Sequence, residues 1–214
     1  MAAGARRAFT LTELVAVLVA LLVLALLLLP ALARAKKKGS RLGCLNNLKQ
    51  VGTAFRLWGG DNGERYPMGV SLTNGGTMEL IPSGMVFPHF QVMSNELNAP
   101  KILVCPTDAA RTIATNWTTD LADSRISYFV GVVTNEANPL LILSGDRNLT
   151  TNGLTGLRGL VGLPPNAPVG WLTTNLHRTH GNVGLADGSA QQVNAAVLRQ
   201  MLSGIGETNR YLVP

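Results

Sequence analysis

Sixteen consecutive apolar residues run from Leu14 to Leu29 and are closed by Pro30. That run reaches the length of a short membrane-spanning helix, and the rest of the chain has to be arranged around it. One carboxylate, Glu13, stands at its mouth. An ionised carboxylate held against hydrocarbon is costly unless it finds a partner, so a sequence that keeps one there is using it.

The chain has 214 residues, which leaves roughly 180 beyond the run and its lead-in, enough for one domain with its own core. With only 14% charged and 5% aromatic residues, 23 Gly and 11 Pro, this reads as a loop-rich, neutral-surfaced extracytoplasmic domain. The net charge of +6 suggests nucleic acid until its placement is considered. Arg6, Arg7, Arg34, Lys36, Lys37, Lys38 and Arg41 all lie beside the apolar run, against the single acid Glu13. The basic balance therefore belongs to a membrane surface, and no nucleic-acid partner is expected. Cys44 and Cys105 are the two cysteines. In an exported domain such a pair can form one disulfide; the alternative is two unpaired small core residues.

The leader MAAGARRA is short and basic, and Ala31-Leu-Ala33 follows the run, so an ordinary cleaved signal peptide is one reading. The length of the run, the Glu at its start and an apolar pattern that continues beyond Pro30 argue against it. Ala8-Phe9-Thr10-Leu11-Thr12-Glu13 resembles the type IV prepilin cleavage and methylation motif. In that family the leader is cut just before a Phe, and a Glu is fifth in the mature chain. Counted from Phe9, Glu13 is fifth and Pro30 is twenty-second, where pilins and pseudopilins carry a helix-kinking proline. Ala8 stands where the family usually has Gly.

The resemblance implies a leader over 1–8, a transmembrane and filament-core half-helix over 9–33, an amphipathic half over 34–60 and a globular head over 61–214. It implies cleavage between Ala8 and Phe9 and methylation of the new amino terminus. Glu13 would pair with the α-amino group of a neighbouring subunit's Phe9, which offsets part of its desolvation and fixes register. Pro30, lacking an N–H, would kink or locally melt the helix. The count of basic residues on the two sides of the run, taken alone, places the large domain in the cytoplasm. The prepilin motif implies the opposite orientation, and that is the one expected here.

Leu42, Leu45, Leu48, Val51, Phe55 and Trp58 recur at steps of three and four, predicting that the helix continues to about Trp58 and is ended by Gly59-Gly60-Asp61-Asn62-Gly63. Residues 68–100 read as loop with room for a short strand or helical turn. Short strands are predicted over 102–105, 126–133 and 139–143, with a turn over 135–138. Residues 147–168 read as a long variable loop. Asp187-Gly188 predicts a type I′ hairpin between 182–186 and 189–193. A short helix over 195–202 and a terminal strand over 211–213 complete an α+β, pilin-like arrangement: a long N-terminal helix packed on a small antiparallel sheet. Cys44-Leu-Asn-Asn-Leu-Lys-Gln50, Cys105-Pro-Thr-Asp108 and Ala186-Asp187-Gly188 are similar to segments of a G-type pseudopilin-like subgroup.

His177-x-x-His180 near Asp187 has the look of a metal site, but no helix or fixed strand makes the two histidines converge. They read as a polar pair at the hairpin entry, with Asp187 and Gly188 serving turn geometry. Asp61, Asn62, Glu64 and Asp108 offer oxygens to calcium without the D-x-D-x-D-G loop, so calcium is assigned to no residue and no cofactor is expected. Ser144-Gly-Asp146 lacks the frame of a nucleophile elbow, and Cys105-Pro is not part of a C-x-x-C pair. No enzymatic activity is expected.

The expectation is a structural subunit of a type II secretion pseudopilus, single-pass in the inner membrane with its head in the periplasm. Its partners would be the prepilin peptidase and methyltransferase, other pilin or pseudopilin subunits, the inner-membrane secretion platform and membrane lipid. The alternatives are a type IV pilus subunit for adhesion, motility or DNA uptake, or a membrane-tethered binding domain that forms no filament.

Overall fold

The computed structural model describes residues 10–133, 135, 137–172, 176–177 and 179–214. Ala8 and Phe9, at the expected cleavage point, and Glu136, in the expected 135–138 turn, lie outside them. The chain separates into two compact units, residues 1–39 and 40–214.

Helix α1, Leu11–Asp61, begins at a reciprocal cap. The Glu13 carboxylate accepts from the Thr10 backbone N–H at 2.8 Å and from the Thr10 hydroxyl at 2.8 Å. The Glu13 N–H in turn donates to Thr10 Oγ1 at 3.3 Å, which completes a capping box. Within the first unit, Leu11–Pro30 is a 20-residue stretch of mean hydropathy 2.9 with none of its window buried. At 1.5 Å per residue it is about 30 Å long, the thickness of a bilayer's hydrocarbon core. Its large side chains are 48–78% exposed, a surface that water disfavours and lipid does not. This is one N-terminal helix long and apolar enough to span a membrane. Pro30 does not melt it: the helix is unbroken through that residue.

In the second unit, α1 buries Cys44, Leu48, Val51, Ala54, Phe55 and Trp58. The buried face starts at Cys44 rather than at Leu42, which is exposed, or Leu45, which is half-buried. The helix stops three residues later than expected, where Gly63 and Glu64 both take positive φ. Residues 67–103 hold 3-10 segments, the longest Met78–Ser83, and two short helices, α2 Phe87–Gln91 and α3 Ser94–Leu97.

A six-stranded, wholly antiparallel sheet follows, in the order β4-β8-β1-β2-β6-β7. Its strands are β1 Tyr128–Gly131, β2 Ile142–Asp146, β4 Gly159–Leu163, β6 His180–Leu185, β7 Ala190–Asn194 and β8 Asn209–Val213. Strands β3 Leu149–Thr151 and β5 Val169–Trp171 pair separately. The two-residue period of β1 sends Tyr128 and Val130 to the side of α1, with Leu48 and Phe55. Phe129 goes to the other side, with Trp171 and with Leu198 and Leu202 of helix α4, Ala195–Ile205. The layout is α+β, with both faces of the sheet covered.

Four expectations are corrected. Residues 102–105 are not a strand: Pro100 fixes the first φ of a 3-10 turn, Pro100–Leu103, whose Leu103 carbonyl accepts from Ser127 N–H. The 139–143 strand lies three residues later, as β2. The 147–168 loop contains β3 and β4: β3 is only three residues long, and Gly159 and Gly162 blur the pattern of β4. The β6–β7 loop is also not type I′, which needs two positive φ values; Gly188 has φ 81° and Asp187 does not have a positive φ. Gly188 N–H bonds to Leu185 O and Leu185 N–H to Ser189 O, as in a three-residue loop with a bulge. That loop lies against α1 backbone to backbone: a Cβ on Gly52 would stand 2.9 Å from Gly188 Cα.

Candidate metal centre

Where the sheet meets α1, the neighbouring strands set a polar row into the core. Tyr128 of β1 is in register with Asp146 at the end of β2. Asn182 of β6 lies beside Asp146, donating to its Oδ2 from the backbone at 2.7 Å and from Nδ2 at 3.0 Å. Cys44 comes down from α1: its thiol is 3.1 Å from Asp146 Oδ1. Tyr128 Oη and Asn182 Nδ2 both donate to Cys44 Sγ, at 3.4 and 3.3 Å. Cys105, two residues beyond the 3-10 turn, contacts Thr107 Oγ1 at 3.1 Å and His177 Nε2 at 3.4 Å. His177, between β5 and β6, also sets Nε2 3.5 Å from Asp146 Oδ2.

The four ligand-type atoms of Cys44, Cys105, Asp146 and His177 all lie within 4.8 Å of one another, and all four residues are buried. Leu176, beside His177, has φ 50°. A Leu held in the left-handed region is a strained backbone position, of the kind that persists where its surroundings fix it.

The electrostatics follow from the lack of water. Burial pushes the Cys44 thiol far up, and Asp146 up to about 7. Cys105 is drawn down to about 5, chiefly by its hydrogen bond with Cys44 and also by that with His177. Burial disfavours the charged His177 imidazole, but Cys105 and Asp146 outweigh it and raise its pKa. Next along the chain, Arg147 is committed elsewhere: it grips Asp108 through two hydrogen bonds of 2.8 and 2.9 Å.

A thiol, an imidazole and a carboxylate can also make a nucleophilic relay, but the geometry here is different. A relay needs the acid on the ring nitrogen opposite the thiol. Here Cys105 and Asp146 face the same nitrogen, and Nδ1 has no partner among the described residues. The groups converge on a point rather than forming a line.

The structure treats the residues singled out in the sequence unevenly. Cys44 and Cys105 are brought together as free, buried thiols, the second of the two states the sequence leaves open. His177 and His180 do not act as a pair: His177 is buried among the cysteines, while His180 is half-exposed with Nδ1 3.0 Å from Thr179 Oγ1. Asp187 is exposed and accepts from Ser189 N–H at 2.8 Å. Asp108, weighed as a calcium ligand, is neutralised by Arg147. In the sequence Asp146 stands out only within Ser144-Gly-Asp146; what joins it to the cysteines is its place in the sheet, in register with Tyr128 of the neighbouring strand, which no local motif carries. Comparison with protein-family models, curated proteins and solved structures finds no match.

Proposed function

We propose that the chain is a pilin-like structural subunit, tethered to a membrane by the first part of α1 and assembled into a filament, in a type II secretion pseudopilus. The observation that carries this reading is the apolar stretch of the first unit, Leu11–Pro30, of bilayer length and with none of its window buried. In the second unit the residues of α1 from Cys44 on form a layer of the folded domain. The Phe9, Glu13 and Pro30 spacing adds the processing step: cleavage after Ala8, methylation of Phe9, and Glu13 meeting a neighbour's amino terminus.

A specific observation favours a second reading, a tethered domain without a filament. Glu13 already has a task inside its own helix, as the partner of Thr10 in the capping box. The two roles separate on Glu13→Gln, because glutamine can close the box but carries no charge.

The test is mass spectrometry of the mature amino terminus from native membranes, with and without the prepilin peptidase. A peptide starting at N-methyl-Phe9, seen only with the peptidase, is expected. A chain starting after Ala33, or still starting at Met1, would overturn the reading. In the same cells Glu13→Gln should insert normally and fail to enter filaments; normal entry would leave Glu13 with its capping role alone.

A further inference from the structure

We propose that Cys44, Cys105, Asp146 and His177 form a closed, four-ligand structural site for a zinc-type divalent transition-metal ion. The inference goes beyond the filament reading and stands whether or not the chain assembles.

Geometry is the first argument. With zinc–sulfur bonds of about 2.3 Å and zinc–nitrogen and zinc–oxygen bonds of about 2.0–2.2 Å, a tetrahedral site has edges of about 3.4–3.8 Å between its ligand atoms. Cys105 Sγ to His177 Nε2 is such an edge, at 3.4 Å, and Asp146 presents one oxygen to each side, Oδ1 at 3.1 Å from Cys44 Sγ and Oδ2 at 3.5 Å from His177 Nε2. Only one of those two oxygens takes a corner of the tetrahedron; with one ligand atom from each residue, all four lie within 4.8 Å of one another, close enough to meet on a common ion. The sharing of one imidazole nitrogen by a thiol and a carboxylate has no use in a proton relay. It is what two neighbouring ligands of a common ion do.

Chemistry is the second. Two sulfurs, one imidazole and one carboxylate suit a borderline-soft tetrahedral ion; calcium and magnesium want more oxygens. Four protein ligands buried from water leave no open position for substrate, so the site is structural. The surroundings are those of a ligand shell. Tyr128 and Asn182 each donate to the Cys44 sulfur, Thr107 contacts the Cys105 sulfur, and Asn182 holds the Asp146 carboxylate through two bonds. Donors aimed at a sulfur are the outer partners that a metal-bound thiolate takes. The strained Leu176 is the backbone feature that delivers His177 to the other three.

The ion would join four stretches far apart in the chain: α1, the segment after the Pro100–Leu103 turn, the end of β2 and the β5–β6 connection. It would hold the helix to the sheet in place of a Cys44–Cys105 disulfide.

The experiment uses the full chain in detergent, purified with a thiol reductant, incubated with zinc and dialysed. Elemental analysis should give one zinc per chain. Replacement by cobalt(II) should give the visible absorption of tetrahedral cobalt with a thiolate charge-transfer band. Cys105→Ser and His177→Ala should each lose bound metal. Asn182→Ala keeps all four ligands and should weaken zinc binding by about 10–100-fold, so the test does not depend on a ligand variant that folds. Folded wild type without metal would overturn the proposal, whether its thiols remain free or protein from native membranes carries a Cys44–Cys105 disulfide. Zinc retained unchanged by folded Cys105→Ser and His177→Ala would overturn it too.

Discussion

The two faces of the six-stranded sheet are built from different materials. The face toward α4 is almost wholly apolar: Phe129, Ile142, Val183, Leu185, Tyr211 and Val213 meet Trp171, Leu198 and Leu202. The face toward α1 has an equally apolar middle, with Leu48, Phe55, Val130 and Leu143, but at one end it buries Cys44, Cys105, Asp146, His177 and Asn182. Burial of apolar surface works at any proton or metal concentration, whereas buried ionisable groups are stable only in the right protonation or ligation state. One side of the molecule is therefore indifferent to solution conditions and the other depends on them.

Phe129→Ala tests the indifferent face and should have the largest effect. The ring packs edge-on against Tyr211 at 5.1 Å between centroids, and Gly145 lies so close beneath that a Cβ there would stand 2.6 Å from it. Removing it leaves a cavity that the sheet backbone cannot fill, at a cost of about 3–5 kcal/mol. Urea unfolding of the full chain in detergent should give that cost equally with and without a metal chelator. A cost that changes with chelator would show the two faces to be coupled and dissolve the contrast.

His89 tests the dependent side away from the cysteines. It is fully buried next to Phe90, which packs on Phe55 of α1, and its Nδ1 is 2.7 Å from Thr77 Oγ1. Burial pushes its pKa down from 6.5 to about 4. Above 6.5 the ring is neutral in both the folded and the unfolded chain, and stability is intact. As the pH falls from 6.5 to about 4, the unfolded chain takes up a proton that the folded chain refuses, so stability is lost. The loss approaches about 3 kcal/mol. His89→Leu should remove that component, so the gap in unfolding free energy between wild type and variant should narrow in acid. Parallel pH profiles would mean that His89 does not contribute to the contrast.

The same division explains what could be read from sequence. Helix α1 announced itself because its periods are local: a continuous apolar run, then steps of three and four through Leu48, Val51, Phe55 and Trp58. The hairpin was visible in Asp187-Gly188, although the turn type was not, because Asp-Gly serves a bulged three-residue loop as well as a two-residue one. Strands β3, β4 and β5 were hidden because β3 and β5 are only three residues long and glycine interrupts β4 and β5. Their partners are distant in the chain, β8 for β4, and β3 and α4 for β5, contacts that no window of sequence contains. The cysteine cluster was hidden for a stronger version of that reason. Its members stand at 44, 105, 146 and 177, with none of the short spacings that mark metal sites, and only the strand register and the packing of α1 bring them together.

Asn194→Ala should show the smallest effect, and it sharpens the contrast from the indifferent side. Asn194 ends β7 and caps α4: its side chain accepts from Val197 N–H at 2.9 Å, satisfying one donor that the first turn of the helix leaves free. Alanine cannot accept that bond and should cost about 1 kcal/mol, whereas glycine at the cap should cost only a few tenths. The bond is neutral and exposed, and it links a helix that contributes Leu198 and Leu202 to the apolar face. Its loss should therefore be the same at neutral and acid pH and with or without chelator, read as a parallel shift in the urea midpoint. A loss that grows on removing metal would mean that α4 takes its stability from the cysteine side of the sheet, and the two faces would then have to be treated as one cooperative core.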